Sequence, residues 1–149
     1  MLFQHTLIEK LITGQKTQTR RLYRSETLTA DGVLMTAPND HPTPRRKYAV
    51  GHDYAVCPAR GKPGLIIDGK PLRILITDIR FDWVVNISDQ DARAEGFENP
   101  LEFWRVWCGI YCKSEIAYFS ENIETTRAYL KCIDPEPFKA WAITFQIAK

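Results

Sequence analysis

Gly14-Gln15-Lys16-Thr17-Gln18-Thr19-Arg20-Arg21 is the stretch from which the rest of the chain can be read. Upstream of it, Phe3, Leu7, Ile8, Leu11 and Ile12 recur at helical spacing, which predicts an amphipathic helix over residues 4–13. Gly14 then stands where a glycine commonly ends a helix. The helix therefore delivers the chain directly into a polar, cationic segment. Lys16, Arg20, Arg21 and Arg24 fall within nine residues that contain no acid.

Downstream, residues 25–47 read as a long loop or loose hairpin. They hold Pro38, Pro42 and Pro44, an Asp31-Gly32 turn signal and a second basic cluster, Arg45-Arg46-Lys47. Tyr54 to Cys57 reads as a short strand after the Gly51-His52-Asp53 turn. Gly64 to Ile67, Asp68-Gly69 and Leu72 to Ile79 read as a hairpin, with the Asp-Gly pair at its tip. The second strand is rich in β-branched and large apolar residues as far as Phe81, and Trp83, Val84, Val85 and Ile87 extend it past a bend. Ser88 caps a helix that ends at Gly96, and Asp91 favours its positive N-terminal end. Asn99-Pro100 opens another helix, with Leu101, Trp104, Val106, Trp107 and Ile110 as its apolar face. Residues 112–137 carry no clear period. Phe138 to Ala148 reads as a closing strand with Trp141, Ile143, Phe145 and Ile147 on one face. Helix, strands, helix pair and closing strand predict an α+β fold: a small β-barrel with flanking helices, in one domain over 1–149 with the 25–47 insertion.

The 149 residues carry a net charge of +2, with 44% hydrophobic and 26% charged residues. This is the composition of an ordinary globular domain large enough to hold together without a disulfide or metal. No apolar run reaches the ~20 residues of a membrane helix, and Met1 to Lys10 lacks the features of a signal peptide, so a cytoplasmic protein with no membrane contact is expected. The small net charge hides an asymmetry. Residues 1–62 hold ten Lys or Arg against five Asp or Glu, and residues 63–149 hold ten against thirteen. That segregation is compatible with an anionic ligand against one part of the fold, or with a solvated surface. Cys57, Cys108, Cys112 and Cys132 are read as free thiols, since neither they nor His5, His41 and His52 have zinc-ligand spacing. Neither a metal nor a cofactor is expected.

Three blocks carry a family resemblance. The opening segment resembles the G-x-K-x-x-T-x-R signature of the ASCH domain family, within the PUA-like superfamily. Val50-Gly51-His52-Asp53-Tyr54-Ala55-Val56 resembles that family's lead into a barrel strand. Ile87-Ser88-Asp89-Gln90-Asp91-Ala92-Arg93-Ala94-Glu95-Gly96-Phe97 resembles its I-S-x-x-D-A-x-x-E-G-F helix, which an aromatic helix around Phe103-Trp104 follows. The resemblance implies a β-barrel with a cleft near the first helix, and RNA or a modified nucleoside or nucleotide as partner. Some small members are amidohydrolases acting on N4-acetylcytidine. By that resemblance Thr19 would be the nucleophile, Lys16 its activating base and Glu95 the acidic catalytic residue, with Arg21 as the signature arginine. The chain departs from the smallest deacetylating members in its 25–47 insertion and its extra 107–137 stretch.

The chemistry of an amide hydrolase suits these residue types. A lysine serves as a base at neutral pH only if burial or cationic neighbours such as Arg20 and Arg21 lower its pKa from ~10.4. Each residue also has a plain reading, Lys16 and Arg21 as structural partners of Glu95 and Thr19 as a strand former. The alternative function is a non-catalytic RNA-binding module. There Lys16, Arg20, Arg21, Arg45, Arg46 and Lys47 would contact phosphates, and Trp83, Phe97, Trp104 or Trp107 would stack on bases. A single-stranded ribonuclease is a third reading. No histidine falls in the signature blocks, so Lys16 and Glu95 would have to serve as its acid and base.

Overall fold

The long strand β9 (Lys139–Ile147) is the centre of the architecture in the computed structural model, which describes residues 1–37 and 43–148. It runs between β1 (Gln18–Leu22) and β8 (Arg73–Trp83), with β5 (Asp53–Ala55) beyond β8, giving an antiparallel sheet in the order β1-β9-β8-β5. A register shift between Ile76 and Asp78 bends β8. The sheet curls into a half-barrel rather than closing, so the architecture is α+β with a curled antiparallel half-barrel, and β1 keeps a free edge among the described residues.

α1 (His5–Ile12) forms where the apolar spacing predicts it and ends at Gly14, whose φ of +78° suits a residue without a side chain. Residues 25–47 are more regular than their proline content suggests. β2 (Thr27–Leu28), β3 (Val33–Met35) and β4 (Arg46–Ala49) form a three-stranded antiparallel sheet, turned at Asp31-Gly32. Residues 38–42, including Pro38, His41 and Pro42, lie outside the described residues. Pairing with β3 is what organises this segment, and local composition cannot reveal a partner strand. The Asp68-Gly69 turn is present and joins β6 (Ile66–Ile67) to β7 (Lys70–Pro71), whereas most of the expected second strand, Leu72–Ile79, lies in β8 and pairs with β5 and β9.

After β8, a single 3-10 turn over Val84–Asn86 leads into α2 (Asp89–Ala94). β8 takes in Trp83, but the expected extension through Val84, Val85 and Ile87 is absent. The Ser88 hydroxyl accepts from the Asp91 amide at 3.0 Å, as the cap reading requires. α3 (Pro100–Tyr111) is capped by Asn99. The 112–137 segment, which shows no period in sequence, holds a 3-10 helix (Lys113–Tyr118), α4 (Ile123–Leu130) and a 3-10 turn (Glu136–Phe138). No helix among the described residues is long and apolar enough to cross a membrane.

Core packing follows the two faces of β9. Ala140 and Phe138 join Leu101, Trp104, Trp107 and Leu130 beneath the helices. Trp141 and Ile143 pack with Leu34 of β3, so the small sheet covers the opposite face. Phe145 packs with Phe3, Ile8 and Leu11 at the α1 end. Burying both faces explains why β9 is apolar over most of its length instead of alternating.

Candidate functional site

β1 carries the decisive side chains because its residues alternate faces while its outer edge stays open. α1 and its terminating glycine set Lys16 just ahead of the strand, and the Thr17 amide bonds to the Ala94 carbonyl at 2.8 Å. That bond ties the segment to the C-terminal end of α2, where Glu95 sits. Gly96 follows with φ +96°, so the chain turns sharply and leaves the Glu95 side chain directed inward.

Lys16 and Glu95 are both buried and joined by a salt bridge of 3.0 Å. The Lys16 ammonium also donates to the carbonyls of Gln18 (2.7 Å) and Glu95 (2.8 Å), so all three of its hydrogens have acceptors. Burial pushes its pKa below the ordinary lysine range. The Glu95 carboxylate opposes that shift, and Arg21 and Arg20 add to it.

Arg20 is also saturated. Its Nε and Nη2 donate to Asp82 at 2.9 and 2.7 Å, Nη2 to Asp91 at 2.9 Å, and Nη1 to Glu95 at 3.0 Å and Gln18 at 3.2 Å. These contacts use all five guanidinium hydrogens. Burial disfavours the charge, but Glu95 and Asp82 outweigh it and leave the Arg20 pKa raised. Arg80 donates to the same Asp91 oxygen at 2.8 Å. Three cations (Lys16, Arg20 and Arg80) thus balance three carboxylates (Asp82, Asp91 and Glu95). Ala142 lies between Arg20 and Arg80 in the sheet register, and its single methyl leaves room for the guanidinium to cross towards β8. Arg20, expected to contact a ligand with its side chain, has no donor left to do so.

Arg21 differs. It donates through Nη2 to the Leu2 carbonyl and lies 5.7 Å from the Phe3 ring centre. Its Nε is buried without a partner, and no carboxylate pairs with it among the described residues. Thr19, on the same face of β1, has no side-chain hydrogen bond among the described residues.

Lys16, Thr19, Arg20, Arg21 and Glu95 all line one cavity of about 190 Å³. The wall opposite them is apolar, built from Phe97 and from Phe103, Val106, Trp107, Ile110 and Tyr111 of α3, with Leu2, Phe3 and Leu7 completing the rim. The rings along the α3 side are in succession: Phe97–Phe103 at 5.7 Å, Phe103–Trp107 at 5.9 Å and Trp107–Tyr111 at 4.6 Å between centres. Of the aromatics considered for stacking, Phe97 and Trp107 are in this wall. Trp104 is wholly buried and bonds the Val84 carbonyl, and Trp83 lies on the sheet with Lys139 over its ring. Phe3, Phe103 and Tyr111 were not expected at the site. Phe103, Trp107 and Tyr111 repeat every four residues, a spacing that marks one helix face but does not distinguish a cavity wall from a core.

The second basic cluster lies elsewhere. Lys47 pairs with the buried Glu26 at 2.6 Å, while Arg45 and Arg46 are exposed on and beside β4, and none of the three lines the cavity. Among the described residues no group of three or more His, Cys, Asp or Glu side chains is arranged to hold a metal ion.

No family model matches the chain, and no curated protein matches it by sequence. Solved structures match it by shape. The crystal structure of "hypothetical protein PH0355" aligns with a TM-score of 0.53 at 15% identity, covering 99% of this chain and 96% of that one. The ASCH domain from Lactobacillus crispatus JV V101 aligns with a TM-score of 0.51 at 17% identity, covering 96% of this chain and 70% of that one. The fold is therefore that of an ASCH domain.

Proposed function

We propose that the cleft binds a nucleoside or nucleotide, either free or as an unstacked residue of RNA. The observation that carries this reading is the pairing, in one cavity, of an aromatic wall with a polar wall whose Arg21 has a buried, unpaired Nε. A planar base suits the rings, and a phosphate or carbonyl oxygen suits the guanidinium. The balanced Lys16–Arg20–Arg80 network leaves Arg21 as the cation available to a ligand. Arg20 acts as a positioning residue that holds Glu95.

Amide hydrolysis is the second reading, favoured by the unpartnered Thr19 hydroxyl and the lowered pKa of the buried Lys16. Thr19 Oγ1 would attack the carbonyl carbon of an exocyclic amide, and its proton would pass to Lys16. The amine bond would then break with the proton returned to the leaving nitrogen, and water would release the acyl group from Thr19. The three acceptors around the Lys16 nitrogen favour its charged form, so this chemistry requires it first to be deprotonated.

Calorimetric titration with cytidine and N4-acetylcytidine, paired with a mass assay for loss of the acetyl group, tests both readings. Saturable binding of either ligand, lost in Arg21→Ala, is the expected result. No binding of either nucleoside or of a short single-stranded RNA overturns the proposal. If deacetylation occurs, Thr19→Val abolishes it, and stability changes by less than about 1 kcal/mol because the hydroxyl has no partner to lose. Full turnover in that variant removes Thr19 from the mechanism.

A further inference from the structure

The cavity runs along the free edge of β1, where main-chain groups meet the ligand space. In the β1–β9 register Thr19 is opposite Ile143 and Arg21 opposite Trp141. The bonds that bracket the pairing, Phe145 N–H to the Thr17 carbonyl and Tyr23 N–H to the Lys139 carbonyl, put the odd-numbered residues of β1 in the ladder. In an antiparallel pair the alternate residues turn their N–H and C=O the other way. Those of Gln18, Arg20 and Leu22 therefore point outward from the sheet.

They are not equivalent. The Gln18 carbonyl is taken by Lys16. Leu22 packs against the core beneath the helices. Arg20 lines the cavity, its side chain is 0% exposed, and the residue as a whole is 5% exposed. The surface that Arg20 offers is therefore main chain. One N–H donor and one C=O acceptor, side by side in the plane of the strand, are bounded on one side by Lys16 and on the other by packed apolar groups.

We infer that the Arg20 main chain reads the hydrogen-bonding edge of a planar heterocycle that sets an acceptor beside an N–H donor. This rests on the cleft being a nucleoside site and names the feature it selects. The α3 rings take the face of the base, and β1 takes its edge. An added peptide strand fits less well, since Lys16 already takes the Gln18 carbonyl and interrupts the run of main-chain groups that strand addition pairs with. The selection works by exclusion. A base whose donor is blocked leaves the Arg20 carbonyl unpaired beneath the bound ring, which lowers affinity about tenfold or more.

The test uses the intact 15N-labelled protein and two neutral ligand pairs, cytidine with N4,N4-dimethylcytidine and uridine with 3-methyluridine. The expected result is a saturable shift of the Arg20 amide with at least one unblocked nucleoside, and binding about tenfold or more weaker for its methylated counterpart. Shifts of the Trp107 indole with the Arg20 amide unmoved, or equal affinity for the blocked partner, overturn the inference and leave the nucleoside reading standing. Absence of cleft shifts with all four ligands and with a short single-stranded RNA removes both.

Discussion

Glu95 is a single carboxylate asked to satisfy two buried cations, one oxygen to Lys16 and the other to Arg20. Replacing it by glutamine keeps the shape and removes the charge. Glu95→Gln is expected to lower stability by about 3–5 kcal/mol, because an unpaired buried cation is far costlier than an intact pair is beneficial. Urea denaturation measures this, and a drop under about 1 kcal/mol would show that the network does not hold the cleft. Glu26 gives a pH signature of its own. Burial alone would raise its pKa, but Lys47 and the Arg24 amide outweigh burial and hold it below the usual carboxylate range. The folded state therefore keeps Glu26 ionised at pH values where the unfolded chain protonates it. Its contribution is complete above the ordinary carboxylate value of ~4.3 and is lost as pH falls through the lower folded value. Glu26→Gln is expected to flatten that acid limb in urea midpoints measured at stepped pH. An unchanged limb would remove Glu26 as its source.

Among the elements, α2 is a six-residue helix that sets the position of Glu95, so its two ends matter more than its length. Ser88→Ala removes the cap and is expected to cost about 1 kcal/mol. Gly96→Ala adds a strained positive φ and a Cβ only 3.3 Å from the Lys10 side chain, with an expected cost of about 1–2 kcal/mol. Thermal melts measure both. The Gly96 variant is also expected to weaken nucleoside binding, since it displaces Glu95 and with it the Lys16–Arg20 lattice. Normal affinity with a lowered midpoint would confine Gly96 to folding. These two ends were legible in the sequence, because caps and left-handed turns are local and draw on few residue types. The 25–47 sheet was not, since its pairing is set by partner strands that lie apart in sequence. The 112–137 region hid α4 because the helix is only eight residues long and its apolar residues are interleaved with Thr125, Thr126 and Arg127.

Across the molecule, the cations are divided between two places. The cleft holds a balanced set of ions plus Arg21, while Arg45, Arg46 and Lys47 lie on the small sheet. Replacing those three by alanine is expected to leave nucleoside affinity unchanged. The slope of RNA affinity against salt should fall by roughly 0.7 for each phosphate that is no longer neutralised. Filter binding at stepped salt checks this, and an unchanged slope would place the phosphate-binding cations elsewhere. Lys16, Thr19, Arg21 and Glu95 could be proposed from the sequence, because the segments that carry them resemble the ASCH signature blocks. The roles within that set could not. Arg20 and Arg21 are neighbours with the same side chain, yet strand alternation sends one into a saturated buried network and the other toward the cavity. Local spacing and turn chemistry were enough to specify most elements, their caps and the residue types near the cleft. Which arginine is free, and that the aromatic face of α3 lines a cavity, emerged only from the assembled fold. So did the placement of the open edge of β1 against that cavity. These outcomes depend on which groups from distant segments meet, and no local pattern in the chain encodes that.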